Sequence, residues 1–410
     1  MAKPKPLSLH VPEPACRPGD SPDFSDFDIP KAGEVRRPDI DEKPENMRDL
    51  AYSIIRVLNK DGQAVGPWTP DLTADQLREG LRHMLTLRQL DERMIKAHRQ
   101  GKTSFYSPHL GEEAISCAFR KTIDQGDMCF PTYRQAGLLI ADGYPITDMM
   151  NQVYSNTADP MKGRQLPILY SSKKHGFFTL SGNVATQYIQ AVGWAMASAI
   201  SHDTKIAATW IGDGSTSEGE FHAALVFAST YKAPVVLNIV NNQWAISTFQ
   251  GIASGNAETL ATRGHGFGIP ALRVDGNDYL AVYAVGRWAV ERARAGLGPS
   301  IIEYVTYRAG PHSTSDDPSV YRPQGEAAAW PLGDPVERLK QHLIALGEWS
   351  QERHDQMQAE CADHVRQCQK QAEQYGTLNS GPKPDPSDMF DDVFEQMPDH
   401  LKQQRRESGV

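Results

Sequence analysis

Apolar residues in this chain change period several times, and each change marks an element. Over 71–101 they recur every three to four residues, as in an amphipathic helix. Thr73 and Gln76 have capping-box spacing, and Gly101 supplies a stop. At 206–211 and 235–240 the apolar residues run almost unbroken, as in strands buried on both faces. Between them Ser217 and Glu220, again at capping-box spacing, place a helix start near Ser217. Strand, helix and strand form a crossover whose strands end on the same side of a parallel sheet. The alternation continues with a strand and turn at 271–278, a helix at 279–295 and a β-branched, aromatic strand from residue 300. This alternation predicts an α/β fold, a parallel sheet flanked by helices.

Further helices are expected at 111–121, 135–142, 147–154 and 188–200, then at 334–347 and 350–375. The segment 193–200 comes nearest to a continuous apolar run, and its small residues suggest a helix buried against another element. Residues 1–45 are rich in Pro and acidic residues and lack periodicity; alone they would be extended or disordered, and in an oligomer they could wrap a neighbour. The stretch 382–398 is again Pro-rich and acidic. These shifts divide the chain into an extended N-terminal arm (1–70), an α/β domain (71–345) and a helical C-terminal tail (346–410).

Composition narrows the function classes. A net charge of −9 argues against a nucleic-acid partner. No apolar run reaches the ~18 residues of a membrane span. The N-terminus has neither the apolar core of a secretory signal nor the composition of a transit peptide. Cys16, Cys117, Cys129, Cys361 and Cys368 include no CxxC pair and read as free thiols, so the expected location is the cytoplasm.

The crossover carries the chemistry. Gly212-Asp213-Gly214 follows the first strand, and Asn241-Asn242 closes the second after the 26 residues 215–240. This puts a carboxylate and an amide at the carboxyl ends of neighbouring strands, where ligands of such sheets bind. Their oxygens suit a hard cation such as magnesium. Gly212 and Gly214 let the backbone approach a ligand, and a helix N-terminus attracts phosphate. Asp213 would repel a diphosphate unless a divalent ion lay between them. A lone Gly-Asp-Gly is more often a tight turn; the double Asn at this spacing, on a crossover, favours the metal-and-phosphate clamp.

This segment resembles the thiamine diphosphate motif, and the chain from about residue 50 to about 398 resembles the alpha subunit of 2-oxo acid dehydrogenase decarboxylase components, nearest to the branched-chain type. The resemblance implies the diphosphate-binding fold of that family, with thiamine diphosphate and magnesium as cofactors. It implies Asp213, Asn242 and the Trp244 main-chain carbonyl as magnesium ligands. It places cofactor contacts at Tyr133, Arg134, Gly182, Val184, Gly212, Asp213, Gly214, Ser215, Asn242, Trp244, Ala245, Ile246 and His312. Arg134 would contact the diphosphate. Tyr133 would line the substrate pocket and Val184 would prop the bent cofactor. His312 would be catalytic, assisting acyl transfer to a lipoyl arm. A structural potassium site is implied at Ser181, Asn183, Thr186 and Gln187.

The sequence departs from the mammalian branched-chain pattern in places. Asp213 stands for a Glu, Gly182 for a Ser, and Pro311 precedes His312 in place of a second His. Ser313 matches a regulatory phosphorylation position, but nothing in this chain shows a kinase. His175 lies one position before the family's His and is not carried over.

The implied reaction is oxidative decarboxylation of a branched-chain 2-oxo acid and reductive acylation of a lipoyl-bearing transacylase. In this family a Glu on a second module activates the cofactor, and no such module is found here. A separate beta subunit in an alpha2beta2 heterotetramer is therefore expected. The alternatives are a pyruvate or acetoin dehydrogenase alpha subunit, or a non-catalytic structural or regulatory subunit. Neither a Walker loop nor a G-x-G-x-x-G turn supports a plain nucleotide-binding domain.

Overall fold

The computed structural model describes residues 7–255, 259–391 and 394–410. Expectations for residues 1–6, and for 392–393 within the Pro-rich connection, lie outside the described residues. The chain builds a six-stranded parallel sheet from β1 (Ile54–Ile55), β2 (Met128–Phe130), β3 (Ala207–Gly212), β4 (Val235–Asn241), β7 (Ala271–Asp275) and β8 (Ser300–Val305), in the order β1-β7-β8-β4-β3-β2. A two-stranded ribbon, β5 (Trp244–Ala245) and β6 (Thr248–Phe249), projects just beyond β4. The helices are α1 (Ala74–Arg99), α2 (Glu113–Arg120), α3 (Gly137–Ala141), α4 (Ile146–Tyr154), α5 (Thr186–Ile200), α6 (Gly219–Tyr231), α7 (Gln250–Ser254), α8 (Tyr279–Arg294), α9 (Pro335–Ala345), α10 (Gln351–Glu373) and α11 (Asp399–Ser408).

The sheet divides the core in two, as side chains alternate across each strand. Ala208, Trp210, Val236, Leu272, Val274 and Tyr304 face a cluster that includes residues of α1, α2, α8 and α10. Ala207, Ile211, Val235, Leu237, Ile239 and Ile301 face a cluster that includes residues of α5 and α6. Every residue of β4 and β8 is buried, which explains the nearly unbroken apolar run of β4.

The capping box of α1 forms as its spacing predicts: Gln76 donates its N–H to the Thr73 hydroxyl, and the Gln76 side chain accepts from the Thr73 N–H. The second capping box does not form. Ser217 instead ends a 3-10 turn, Gly214–Ser217, and its hydroxyl reaches the Ala253 carbonyl. Glu218 takes the extended N-cap conformation, and α6 starts at Gly219.

The segment 193–200 also departs from expectation. It is helical within α5, but α5 is buried on one side only; Ile189 and Ile200 lie exposed, as do Val226, Phe227 and Tyr231 of α6. Among the described residues no element of this chain covers that face.

The core also crosses the compositional divisions. β1 pairs with β7, and Met357, Cys361, Val365 and Cys368 of α10 belong to the larger core cluster. The arm from residue 7 runs without regular structure to residue 43 and lies on its own chain. Phe24 and Phe27 pack on Trp330, and the Pro38 carbonyl accepts from the Trp288 ring N–H.

Candidate active site

In a parallel sheet all carboxyl ends face one edge, so residues remote in sequence meet there. Four strands supply this site. β2 leads to Thr132, Tyr133 and Arg134; β3 to Asp213; β4 to Asn242; and β8 to Arg308 and the loop holding His312. The register sets Gly212 beside Val240, and the Asp213 N–H donates to the Val240 carbonyl at 3.1 Å. The N-terminal turn before α5 closes one side with Ser181, Gly182 and Val184. Together these residues line a cavity of about 540 Å³.

All the cofactor contacts implied by resemblance line that single cavity. Of the four residues implied for potassium, Ser181 and Gln187 line it, whereas Asn183 and Thr186 do not. The Ser181 hydroxyl accepts from the Asn183 N–H, and the Thr186 hydroxyl donates to the Asn183 carbonyl at 2.9 Å. The Gln187 side-chain oxygen is buried without a partner. His175 lies elsewhere, its Nδ1 2.7 Å from Asp142.

Asp213 is the most exacting residue of the site. It is 2 % exposed. Its Oδ1 accepts the Gly214 N–H at 2.8 Å, and its Oδ2 is buried with no hydrogen-bond partner. Burial pushes this carboxyl up to about 7, only partly opposed by the Gly214 N–H. A buried, unpaired carboxylate oxygen is costly unless a cation covers it. Among the described residues no group of three or more His, Cys, Asp or Glu side chains could hold a metal. A cation at Asp213 must therefore draw its other ligands from amide, carbonyl and ligand oxygens. Asn242 and Trp244 could supply the first two. The Trp244 carbonyl already accepts from Arg308 at 2.8 Å, and its second lone pair remains for a cation. These donors fit a hard, oxygen-seeking ion held jointly with a diphosphate.

The ribbon after Asn242 is tightly specified. Gln243 and Ile246 have positive φ, 75° and 57°. A β-branched residue rarely adopts such a backbone, so the surroundings must impose it. Arg308 does so, bridging the Trp244 and Ile246 carbonyls at 2.8 Å each. Its guanidinium is fixed in turn by the Tyr321 hydroxyl, which donates to Asp316 at 2.8 Å. A Cβ added to Gly214 would lie 2.4 Å from the Ala245 Cβ, so the turn and the ribbon fit only with glycine.

Arg134 is buried, and its directions are fixed. It donates to the carbonyls of Pro108 at 2.5 Å and His312 at 2.7 Å, and its Nη2 lies 3.2 Å from His312 Nδ1. Its Nε stands 3.7 Å from Glu112. Burial, with Arg134 and Arg308 nearby, pushes the His312 imidazole down to about 3. The ring is thus neutral, with Nδ1 accepting from Arg134 and Nε2 carrying the proton. Tyr133 stands edge-on to it, ring centres 5.8 Å apart.

Sequence reasoning missed Glu112, Arg308, Asp316 and Tyr321. Glu112 is 3 % exposed, lines the cavity and accepts from Asn242 Nδ2 at 2.7 Å. In the sequence it is one of two successive Glu residues at a helix start, a common pattern with no mark of function. Arg308 offered one signal, a charged residue three positions beyond the end of the buried strand β8.

Known proteins resemble this chain over most of its length. The family described as "Dehydrogenase E1 component" matches residues 81–380, and "2-oxoisovalerate dehydrogenase E1 alpha subunit N terminal" matches residues 5–45. A 2-oxoisovalerate dehydrogenase subunit alpha from Pseudomonas aeruginosa is 59% identical over 410 residues, covering 100% of both chains. The mitochondrial protein of that name from Homo sapiens is 37% identical over 354 residues, 86% of this chain and 78% of its own. A subunit alpha 1 from Arabidopsis thaliana is 37% identical over 355 residues, 85% of this chain and 73% of its own.

Proposed function

The chain belongs to the dehydrogenase E1 component family, and from that premise we propose that it is the alpha subunit of a thiamine-diphosphate-dependent dehydrogenase of branched-chain 2-oxo acids. The observation that carries this reading is the buried Asp213 Oδ2, unpartnered in a cavity that also holds Asn242, Arg134 and His312. When bound, the cofactor supplies the carbanion chemistry of decarboxylation. This chain's residues position it. Asp213, Asn242 and the Trp244 carbonyl would hold magnesium and, through it, the diphosphate. Arg134, aimed by Pro108 and His312, adds positive charge at the same end. Gly212, Gly214 and Ser215 offer close backbone, and Val184 offers an apolar surface. His312 keeps a proton on Nε2 at neutral pH, available as a donor to substrate or to the sulfur released as a thiolate when the lipoyl disulfide is opened. Potassium at the turn before α5 is part of the proposal; the unpartnered Gln187 oxygen favours it.

The chain acts with a beta subunit, in an alpha2beta2 assembly, and delivers the acyl group to a lipoyl-bearing transacylase. A cytoplasmic location fits five buried free thiols. Among the described residues no helix is long and apolar enough to cross a membrane.

The test is decarboxylation by the alpha–beta assembly with 3-methyl-2-oxobutanoate, pyruvate and acetoin in parallel. Preference for 3-methyl-2-oxobutanoate supports the reading, and preference for pyruvate or acetoin refutes the branched-chain part. Asp213→Ala should abolish magnesium-dependent binding of thiamine diphosphate. Undiminished binding in that variant would refute the assignment of the site.

A further inference from the structure

Asn242 has an ambiguous side chain: its amide presents an oxygen on one side and an NH2 on the other, nearly equal in shape. Only the oxygen can ligate a cation. Something in the protein must therefore choose the amide's orientation, and the backbone does little of this. The Trp244 N–H reaches Asn242 Oδ1 at a long 3.4 Å. The strong contact is on the other side, where Nδ2 donates to Glu112 Oε1 at 2.7 Å. Burial raises the Glu112 carboxyl, while the Arg134 guanidinium and the Asn242 NH2 group favour its charged form; in that form it accepts and cannot donate, so it takes only the NH2 face of the amide.

The same oxygen of Glu112 lies 3.7 Å from Arg134 Nε. The charge of Arg308 also opposes the effect of burial on Glu112. Glu112 itself is held by the chain turn before α2, where its N–H donates to the His109 carbonyl at 2.9 Å. One buried carboxylate thus touches both the amide that would face the metal and the guanidinium that would face the diphosphate. We propose that Glu112 is a positioning residue of the cofactor site: it turns the Asn242 oxygen toward the cation and anchors the Arg134 guanidinium. This inference rests on the reading of Asp213 and Asn242 as magnesium ligands. Outer partners of this kind set the orientation and basicity of metal ligands, and losing one costs about 10–100-fold in affinity.

The alternative is that Glu112 merely neutralises buried Arg134. A double-mutant cycle separates the two roles. In Asn242→Asp a carboxylate, ordinarily a better cation ligand, would face Glu112 across 2.7 Å, and the like charges would repel. Adding Glu112→Gln replaces that repulsion with a donated hydrogen bond.

The experiment uses the alpha–beta assembly without cofactor, titrated calorimetrically with Mg2+ at fixed thiamine diphosphate, with thermal midpoints recorded alongside. Glu112→Gln should weaken Mg2+ binding about 10–100-fold. Asn242→Asp should weaken it further, and the double variant should bind at least about tenfold more tightly than Asn242→Asp alone. Wild-type affinity in Glu112→Gln would overturn the proposal, as would a double variant no better than Asn242→Asp. If Glu112→Gln does not assemble, Glu112→Asp keeps the charge but withdraws it by one methylene. It should show the same weakening, and wild-type affinity there would be equally fatal. Failure of the wild-type assembly to bind thiamine diphosphate with Mg2+ would instead overturn the cofactor reading beneath it.

Discussion

At Gly214 the site leaves no space for a methyl group. The nearest obstacle to a Cβ is the Ala245 Cβ at 2.4 Å, attached to a ribbon that Arg308 holds by two carbonyls. Gly214→Ala should therefore cost about 1–3 kcal/mol of cofactor binding through local overpacking. Ala245→Gly in the same chain should recover most of it. Titration of the alpha–beta assembly with thiamine diphosphate checks both, and a Gly214→Ala variant of unchanged affinity would show that the turn is freer than it looks. His312 yields a pH prediction. Its imidazole is pushed down to about 3 in the folded chain, against about 6.5 when unfolded. Between those values the unfolded state binds a proton that the native state does not. Stability is thus fully present above about pH 6.5 and is lost as pH falls toward 3. Cofactor-free wild type should lose more thermal stability from pH 6.5 to 4.5 than His312→Asn does; equal losses would contradict it.

The elements differ in how far their own sequence determines them. α1 carries its start signal, and Thr73→Ala should cost about 1 kcal/mol of stability without altering cofactor binding. Chemical denaturation and a cofactor titration on one preparation check both halves of that statement. β1 is the opposite case. Two residues cannot specify a strand; its place is fixed by Asp278, which caps α8 through the Leu280 and Ala281 N–H groups. The same carboxylate accepts from Val57 N at 2.9 Å and Leu58 N at 2.6 Å, just after β1, and pairs with Arg338 at 3.2 Å. Asp278→Ala leaves buried N–H groups and a buried guanidinium short of partners. It should destabilise the fold by about 3–5 kcal/mol, measurable by urea unfolding. A loss under about 1 kcal/mol would mean that β1 is held by other contacts.

At the scale of the whole molecule, one face is unfinished. α5 has no charged residue, and with α6 it exposes Ile189, Ile200, Val226, Phe227 and Tyr231. Among the described residues this face has nothing of its own chain to pack on. The chain purified alone should accordingly show no 2-oxo acid decarboxylation, and activity should appear on mixing with the beta subunit. Turnover by the single chain would refute that dependence.

The sequence by itself determined the parallel crossover, because unbroken apolar strands on either side of a helix have no other economical packing. It also determined that Asp213 and Asn242 meet at one edge of the sheet, because they sit at strand ends whose direction the crossover fixes. It could not place the start of α6, since Ser217 at capping-box spacing is equally suited to the 3-10 turn that it forms. Nor could it reveal Glu112, 130 residues from Asn242 in the chain, or Arg308 as the brace of the ribbon. Hydrogen bonds across such separations leave no periodicity or spacing to read. Only the folded sheet, by bringing four carboxyl ends to one edge, decided which buried charges stand beside Asn242 and Arg134.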